Sequence, residues 1–215
     1  MFSRIAKEII SAVKTGGDDP KGNPRLRLAI QKAKEANFPS DSVERNIKKA
    51  MSPDQEDFIQ VVYEIYGHGG IGIIVEAMSD NKNRTASDMR IATNKRGGTI
   101  AAPGSVNYNF SRKGVIQVPK TSGDEETLFN SAIEAGAEDF EAADELYMLT
   151  TDATELFAVK EKLEACGIVV VEADIVMIPN LLIKCDEATR LSNQALIDWL
   201  EDLDDVNTVY HNMDI

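Results

Sequence analysis

Residues 63–85 read YEIYGHGGIGIIVEAMSDNKNRT, and this stretch decides the fold. Two apolar runs flank a glycine turn, and a polar, basic loop follows. From Val61 to Tyr66 the residues alternate. Val61, Tyr63 and Ile65 share one face, and Glu64 and Tyr66 the other, as in a half-exposed strand. Gly67-His68-Gly69-Gly70 reads as a turn, because glycine adopts positive φ without steric cost. Ile71 to Met78 is almost continuously apolar, the pattern of a central strand. The chain then leaves through Ser79-Asp80-Asn81-Lys82-Asn83-Arg84. A strand-end loop rich in Asn, Lys and Arg is a place to meet a polyanion.

On the N-terminal side, Ile5, Ile9, Ile10 and Val13 recur at helical spacing, predicting a helix over 3–14. Asn23 is placed to cap a second helix, with Pro24 at its first position. Leu26, Leu28, Ala29, Ile30 and Ala33 form its stripe. Asp41 with Glu44 reads as the cap of a third helix that ends near Met51. Three short amphipathic helices must bury their stripes together, which predicts a helical bundle over 1–54. Ser52-Pro53-Asp54-Gln55 reads as a linker. On the C-terminal side, Thr85 with Asp88 reads as a helix cap, and Gly97-Gly98 as that helix's end. Val106–Phe110 reads as a strand, Ser111-Arg112-Lys113-Gly114 as a hairpin turn, and Val115–Val118 as the return strand.

Residues 120–185 form a second α/β unit. Ser122-Gly123-Asp124-Glu125 reads as a capping box for a helix through Ile133, ended by Gly136. Strands follow around Phe140 and Leu146–Leu149, and a helix opened by Asp152 and Glu155 ends at Gly167. A β-branched run covers 168–178. A helix over 191–203 and a strand over 206–212 then supply what the first unit lacks. The predicted fold class is α+β. It combines an N-terminal three-helix bundle with two split-βαβ, ferredoxin-like domains, the third inserted in the second. The expected domains are 1–54, 55–119 with 186–215, and 120–185. In that topology the end of the first strand and the predicted hairpin share one sheet edge. Asn81, Lys82, Asn83 and Arg84 are therefore expected beside Arg112 and Lys113, with Lys and Arg on phosphates and Asn at sugar or base edges.

The net charge of −13 conceals a strong asymmetry. Residues 1–120 hold 19 Lys+Arg and 13 Asp+Glu, whereas residues 121–215 hold 4 and 23. Such a division predicts two surfaces with different partners. Hydrophobic residues make up 43%, enough for a sizeable core. No apolar run approaches ~18 residues, and no signal peptide precedes the first helix. Cys166 and Cys185 fit neither a disulfide framework nor a zinc site and are expected as buried thiols.

Little points to catalysis. Gly67–Gly70 lacks the lysine and the strand-to-helix context of a phosphate-binding loop. The only histidines are His68 and His211, and no Ser/His/Asp or Cys/His set stands in context. No carboxylate pair is singled out among Glu64, Glu76, Asp80 and Asp88, which are expected to pair with Arg84 and Arg90 instead. The acidic run 201–205 reads as a solvated helix end. No cofactor, metal, small-molecule substrate or membrane is expected. Arg25, Arg27, Lys48 and Lys49, with Lys32, Lys34 and Arg45, give the bundle a cationic face able to dock on phosphates.

YxxYGxGGxxxxVExxxDNxNRT and GSVNYNFSRKGVI resemble the YebC/PmpR family, which includes mitochondrial translational activators of cytochrome c oxidase subunit I. NPRLRLAIQKAKEANFPSDSVERNIKKA resembles that family's helical domain, and LEDLDDVNTVYHNMDI its C-terminal signature. The resemblance implies three domains; no enzymatic activity is expected of the chain. It implies DNA-binding transcriptional regulators among bacterial members, and translational activators acting near the ribosome and its mRNA or rRNA. The expected compartment is the cytoplasm of a bacterium, or the mitochondrial matrix or another organelle of a eukaryote. The runner-up reading is an acidic protein–protein adaptor. Family members usually begin with a basic stretch containing GHSKW and IKHRK. Here Met1-Phe2-Ser3 starts inside the first helix, which reads as a removed leader or a shortened form. The family commonly has Pro at the position of His68, against a catalytic role for that residue.

Overall fold

An apolar helix stripe needs a partner, and the first three helices supply one another's. In the computed structural model, which describes residues 2–52 and 57–214, these are α1 (Phe2–Gly16), α2 (Pro24–Glu35) and α3 (Ser40–Ala50). Ile9, Leu26 and Ala33 are completely buried where they meet. Asn23 locks the α1–α2 corner: its side chain accepts the Leu26 N–H at 3.1 Å and donates to the Ala12 carbonyl at 2.8 Å. Pro24 occupies the first helical position, as expected. The expected cap Asp41 lies inside α3 instead. Pro39 precedes the helix, and its carbonyl accepts the N–H groups of Ser42 and Val43. Pro53–Gln55 of the expected linker fall outside the described residues.

The chain divides into two compact units, Met1–Phe110 with Pro179–Ile215, and Ser111–Ile178. The α/β part of the first unit holds β1 (Ile59–Tyr66), β2 (Gly72–Ser79), α4 (Lys82–Arg96), β3 (Thr99–Ile100), α7 (Glu187–Asp202) and β8 (Val206–His211). Its sheet order is β3-β1-β2-β8. β1 pairs antiparallel with β2 and β3, and β2 with β8. The continuously apolar β2 is indeed central, with only Glu76 less than buried. Ile65, Ile73, Val75, Met89, Leu196 and Leu200 form the core between sheet and helices. Gly69 and Gly70 hold φ of 68° and 81°, the left-handed region the turn requires. Buried Asn193 fixes that turn by accepting the His68 N–H at 2.8 Å and donating to the His68 carbonyl at 3.0 Å.

The second unit holds β4 (Phe110–Pro119), which starts at the boundary, then α5 (Glu125–Ala135), β5 (Asp139–Ala142), β6 (Leu146–Asp152), α6 (Leu156–Ala165) and β7 (Glu172–Pro179). Its sheet order is β5-β6-β4-β7, the ferredoxin-like arrangement of a β-α-β-β-α-β chain. Leu128, Leu149, Leu156 and Leu163 pack beneath the helices. Asp124, not the expected Ser122, caps α5 by accepting the Thr127 N–H at 3.0 Å; Ser122 closes a 3-10 turn before it.

The expected hairpin at Ser111–Gly114 does not exist. Phe110–Pro119 is one strand, and a single 3-10 turn at Asn107–Asn109 replaces the expected strand before it. Gly114 marks close approach rather than a turn. It pairs with Thr151, and a Cβ there would lie 2.5 Å from the Thr151 hydroxyl and 3.0 Å from Leu156. The return strand expected at Val115–Val118 in the first α/β unit therefore belongs to the second sheet. The first unit runs β-β-α-β and then α-β, not β-α-β-β-α-β. Cys166 also departs from expectation: it lies exposed at the end of α6, and both thiols are free. No helix among the described residues is long and apolar enough to cross a membrane.

Candidate nucleic-acid interface

The basic stretch after β2 is the first turn of a helix rather than a loop. Asn81, not Thr85, is the cap of α4: its side chain accepts the N–H groups of Asn83 and Arg84, both at 3.1 Å. Asn81 leaves the helical path at φ −139° and satisfies the donors that a helix start would otherwise leave open. Lys82 and Asn83 are exposed, with no side-chain partner among the described residues. Arg84 is exposed too, but its guanidinium is engaged. It lies 2.7 Å from Asp80 and 2.8 Å from Asp205.

Asp205 is the centre of this junction and is 5% exposed. Its carboxylate accepts from Lys7 at 2.8 Å, Ser79 at 3.0 Å, Thr85 at 2.8 Å and Arg84. Its carbonyl accepts the Met78 N–H at 2.7 Å. Burial alone would push this carboxyl up, but the donors from Lys7, Arg84, Thr85 and Ser79 outweigh it and hold Asp205 far below the usual carboxylate range. Thr85 points inward, which is why it cannot cap. Arg4 on α1 adds bonds to the carbonyls of Glu201 and Leu203, and Asn207 donates to Glu8 at 2.8 Å. The helical part and the sheet are thereby tied through residues 201–207. A cleft of about 650 Å³ opens at the same place, with Lys7, Arg84, Asp88, Asp202 and Asp204 on its walls.

A second buried carboxylate, Glu64, organises the other end of β1. It is 8% exposed and accepts the backbone N–H groups of Gly104, Val106 and Asn107 at 2.5, 2.6 and 2.8 Å. Burial opposes its ionisation, yet these three donors lower it below the ordinary glutamate value.

The expected convergence of two basic segments on one sheet edge fails. Arg112 and Lys113 lie inside β4, in the second sheet, whereas Asn81–Arg84 follow β2 of the first. Arg112 is exposed, with no ion pair among the described residues. Lys113 lies 2.6 Å from Glu138. Arg90 is exposed on α4 beside a groove of about 240 Å³ shared with Tyr63, Asn94 and Thr99. Arg25 reaches Thr15 and Gln60 only at 3.5 Å. Arg27 braces the preceding loop through the carbonyls of Pro20 and Lys21, at 3.3 and 3.2 Å. Lys48 and Lys49 are exposed in the last turn of α3, with no ion pair among the described residues. There, cations complement the helix dipole.

Asp205, Ser79 and Lys7 form the structural centre of the junction, and Glu64 that of the loop at the other end of β1; sequence reasoning missed both roles. Asp205 lay in an acidic run that reads as solvated, and its partners are about 120 to 200 positions away. Among the described residues no three His, Cys, Asp or Glu side chains gather as a metal cage.

The architecture is that of an α+β protein in which a helical N-terminal part precedes two α/β sandwiches, the second interrupting the first in sequence. The chain belongs to the TACO1/YebC family: the family's N-terminal domain matches residues 1–52, and its "second and third domain" residues 58–213. A probable transcriptional regulatory protein of Protochlamydia amoebophila is 58% identical over 215 residues, covering 100% of this chain and 88% of that protein. One from Chlamydia pneumoniae is 60% identical over 214 residues, covering 99% and 90%. The crystal structure of a conserved hypothetical protein from Aquifex aeolicus matches with a TM-score of 0.89 at 43% identity, covering 99% of this chain and 88% of that one. The naming of these bacterial relatives supports a regulatory role.

Proposed function

We propose that this chain is a non-enzymatic regulator of gene expression that docks on a nucleic-acid backbone. Its target is the ribosome or its RNA, with promoter DNA as the alternative. One observation carries the reading: Lys82, Arg90, Lys48 and Lys49 are exposed and have no carboxylate partner among the described residues. Unpaired surface cations gain by releasing the counterions of a polyanion, whereas Arg84 and Lys113 already hold carboxylates. Arg112 and Arg25 are further contacts of the same kind, and Asn83 adds a polar contact beside Lys82. The reading places the protein in the cytoplasm of a bacterium, or the matrix of an organelle in a eukaryote. Its three functional parts are the helical segment 1–54, the central α/β part 55–119 with 186–215, and the acidic part 120–185 inserted in it.

The test is a salt titration with labelled duplex DNA and RNA. Four phosphate contacts give a log–log slope of about −3.6 on duplex DNA, or roughly 150-fold weaker binding between 50 and 200 mM salt. Replacing Lys82, Arg90, Lys48 and Lys49 together by Ala should flatten that slope. Unchanged affinity and slope would remove the proposal.

A protein–protein adaptor is the second reading, and one observation favours it. Phe129 and Ile133 are exposed on α5, in a unit whose residues 111–178 carry 15 Asp+Glu against 5 Lys+Arg. It would prevail if the four-cation variant still co-sedimented with ribosomes while a Phe129→Ser, Ile133→Ser variant did not.

A further inference from the structure

The segment between β3 and β4 has no regular structure beyond one 3-10 turn, yet it is tightly held. Ala101 N–H donates to the Glu64 carbonyl at 2.8 Å, and the Glu64 carboxylate takes the three N–H groups from Gly104, Val106 and Asn107. The Tyr66 hydroxyl donates to the Ser105 carbonyl at 2.7 Å. Val106 is 2% exposed and packs over Gly72, where a Cβ would lie 2.7 Å from it. From the other side, the Asn180 N–H donates to the Asn109 carbonyl at 2.7 Å, and the Asn109 amide to the Leu181 carbonyl at 3.1 Å. A buried, ionised carboxylate is a costly way to fix a loop. What this loop presents is Tyr108, 78% exposed, the most exposed large hydrophobic side chain among the described residues.

The ring therefore stands open to solvent on a base held by hydrogen bonds. Exposed Asn107 flanks it in sequence, and Leu181, 66% exposed, neighbours the same turn. A rigid aromatic ring with open faces is what an unpaired nucleobase stacks on, because every base has a π-face. Bases inside a duplex cannot reach such a ring. A carboxamide beside it can meet a base edge as donor or acceptor.

We infer that Tyr108 is a stacking site for an unpaired base, so the nucleic acid this chain takes is single-stranded. The inference rests on the proposed nucleic-acid reading and narrows it from backbone docking to strand state. Electrostatic contacts set the salt dependence, and the tyrosine adds a salt-insensitive contribution. Single-stranded segments of RNA, with splayed-out bases, are the substrate class this arrangement fits.

The test uses the full chain and fluorescence anisotropy with a labelled oligoadenylate of about 12 nucleotides, free and annealed to its complement. The free strand should bind more tightly than the duplex. Tyr108→Ala should weaken the free strand by about five- to a hundred-fold while leaving the salt slope and the duplex affinity unchanged. Tyr108→Phe and Tyr108→Trp should bind within about two-fold of wild type or tighter, since both keep a ring. Irradiation of a strand carrying 4-thiouridine should place the crosslink on the 101–109 segment. Strand binding unaffected by Tyr108→Ala, but lost in the four-cation variant, overturns the stacking site and leaves backbone docking intact. That outcome would reassign the exposed tyrosine to a protein partner. Failure of the wild-type chain to bind either probe at low salt overturns both.

Discussion

Two buried carboxylates serve the two ends of the first sheet, and they are satisfied in opposite ways. Asp205, beside the end of β2, is surrounded by side chains: two cations and two hydroxyls, drawn from α1, β2 and α4. Glu64, on β1, is surrounded by backbone N–H groups from one loop. The first arrangement joins parts that are far apart in sequence, so it behaves as a clasp. The second shapes a single connection, so it behaves as a template. Both acids are held ionised against burial, and each identifies a place where the fold is fixed by charge rather than by apolar packing.

The clasp should dominate stability. Asp205→Ala leaves Lys7 and Arg84 facing one another without their shared counter-charge. Removing one partner of a buried ionic cluster costs about 3–5 kcal/mol. Urea unfolding of the full chain should show that loss, and hydrogen exchange should show α1 opening before the sheet. A loss below about 1 kcal/mol would mean that water reaches the junction freely. The pH dependence carries the same information. Because both carboxyls are lowered in the folded state, their contribution is fully present above the ordinary carboxylate range and is lost as pH falls below it. The wild-type urea midpoint should therefore fall between about pH 5 and pH 3, and Asp205→Ala should fall less steeply.

The template should cost less to break. Glu64→Ala leaves three N–H groups without acceptors, but the loop lies at the surface and water can replace part of what is lost. A change of about 1–3 kcal/mol is expected. The sharper reading is local: the amides of Gly104, Val106 and Asn107 should lose exchange protection while those of β2 keep theirs. Equal loss in both would make Glu64 part of the global core rather than a template for one loop.

Much of this arrangement is legible in the sequence, and the illegible part has a physical pattern. The glycine turn, the central apolar strand, the Asn23–Pro24 helix start and the Gly97 and Gly136 helix ends are local, and each is legible in a few adjacent residues. Gly114 misled because glycine has two uses. Its small size is needed against Thr151 and Leu156, and nothing adjacent announces either neighbour. Thr85 misled because hydroxyl residues cap helices, while this one serves a carboxylate 120 positions away. Glu64 and Asp205 were invisible as buried charges for the same reason: the groups that ionise them arrive only when the chain is folded. Lys82, Arg90, Lys48 and Lys49 lie exposed, as charged residues on helix surfaces do. Their pairing state, which separates a structural cation from one open to a ligand, is a property of the tertiary structure.

Lys82 and Arg84 bring that distinction into one helical turn and give the finest test of it. They are two residues apart, both exposed and both next to the same cap. Arg84 holds Asp80 and Asp205, so Arg84→Ala should destabilise the chain by about 1–2 kcal/mol, less than Asp205→Ala because Lys7 still neutralises the carboxylate. Lys82 holds nothing among the described residues, so Lys82→Ala should stay within about 0.5 kcal/mol of wild type. Their effects on nucleic-acid binding should be reversed. Lys82→Ala should lower the salt slope on duplex DNA by about one, whereas Arg84→Ala, in protein still folded at the assay temperature, should leave it nearly unchanged. If both substitutions lowered the slope equally, Arg84 would be exchanging the Asp205 carboxylate for phosphate. The clasp and the interface would then be one device rather than two.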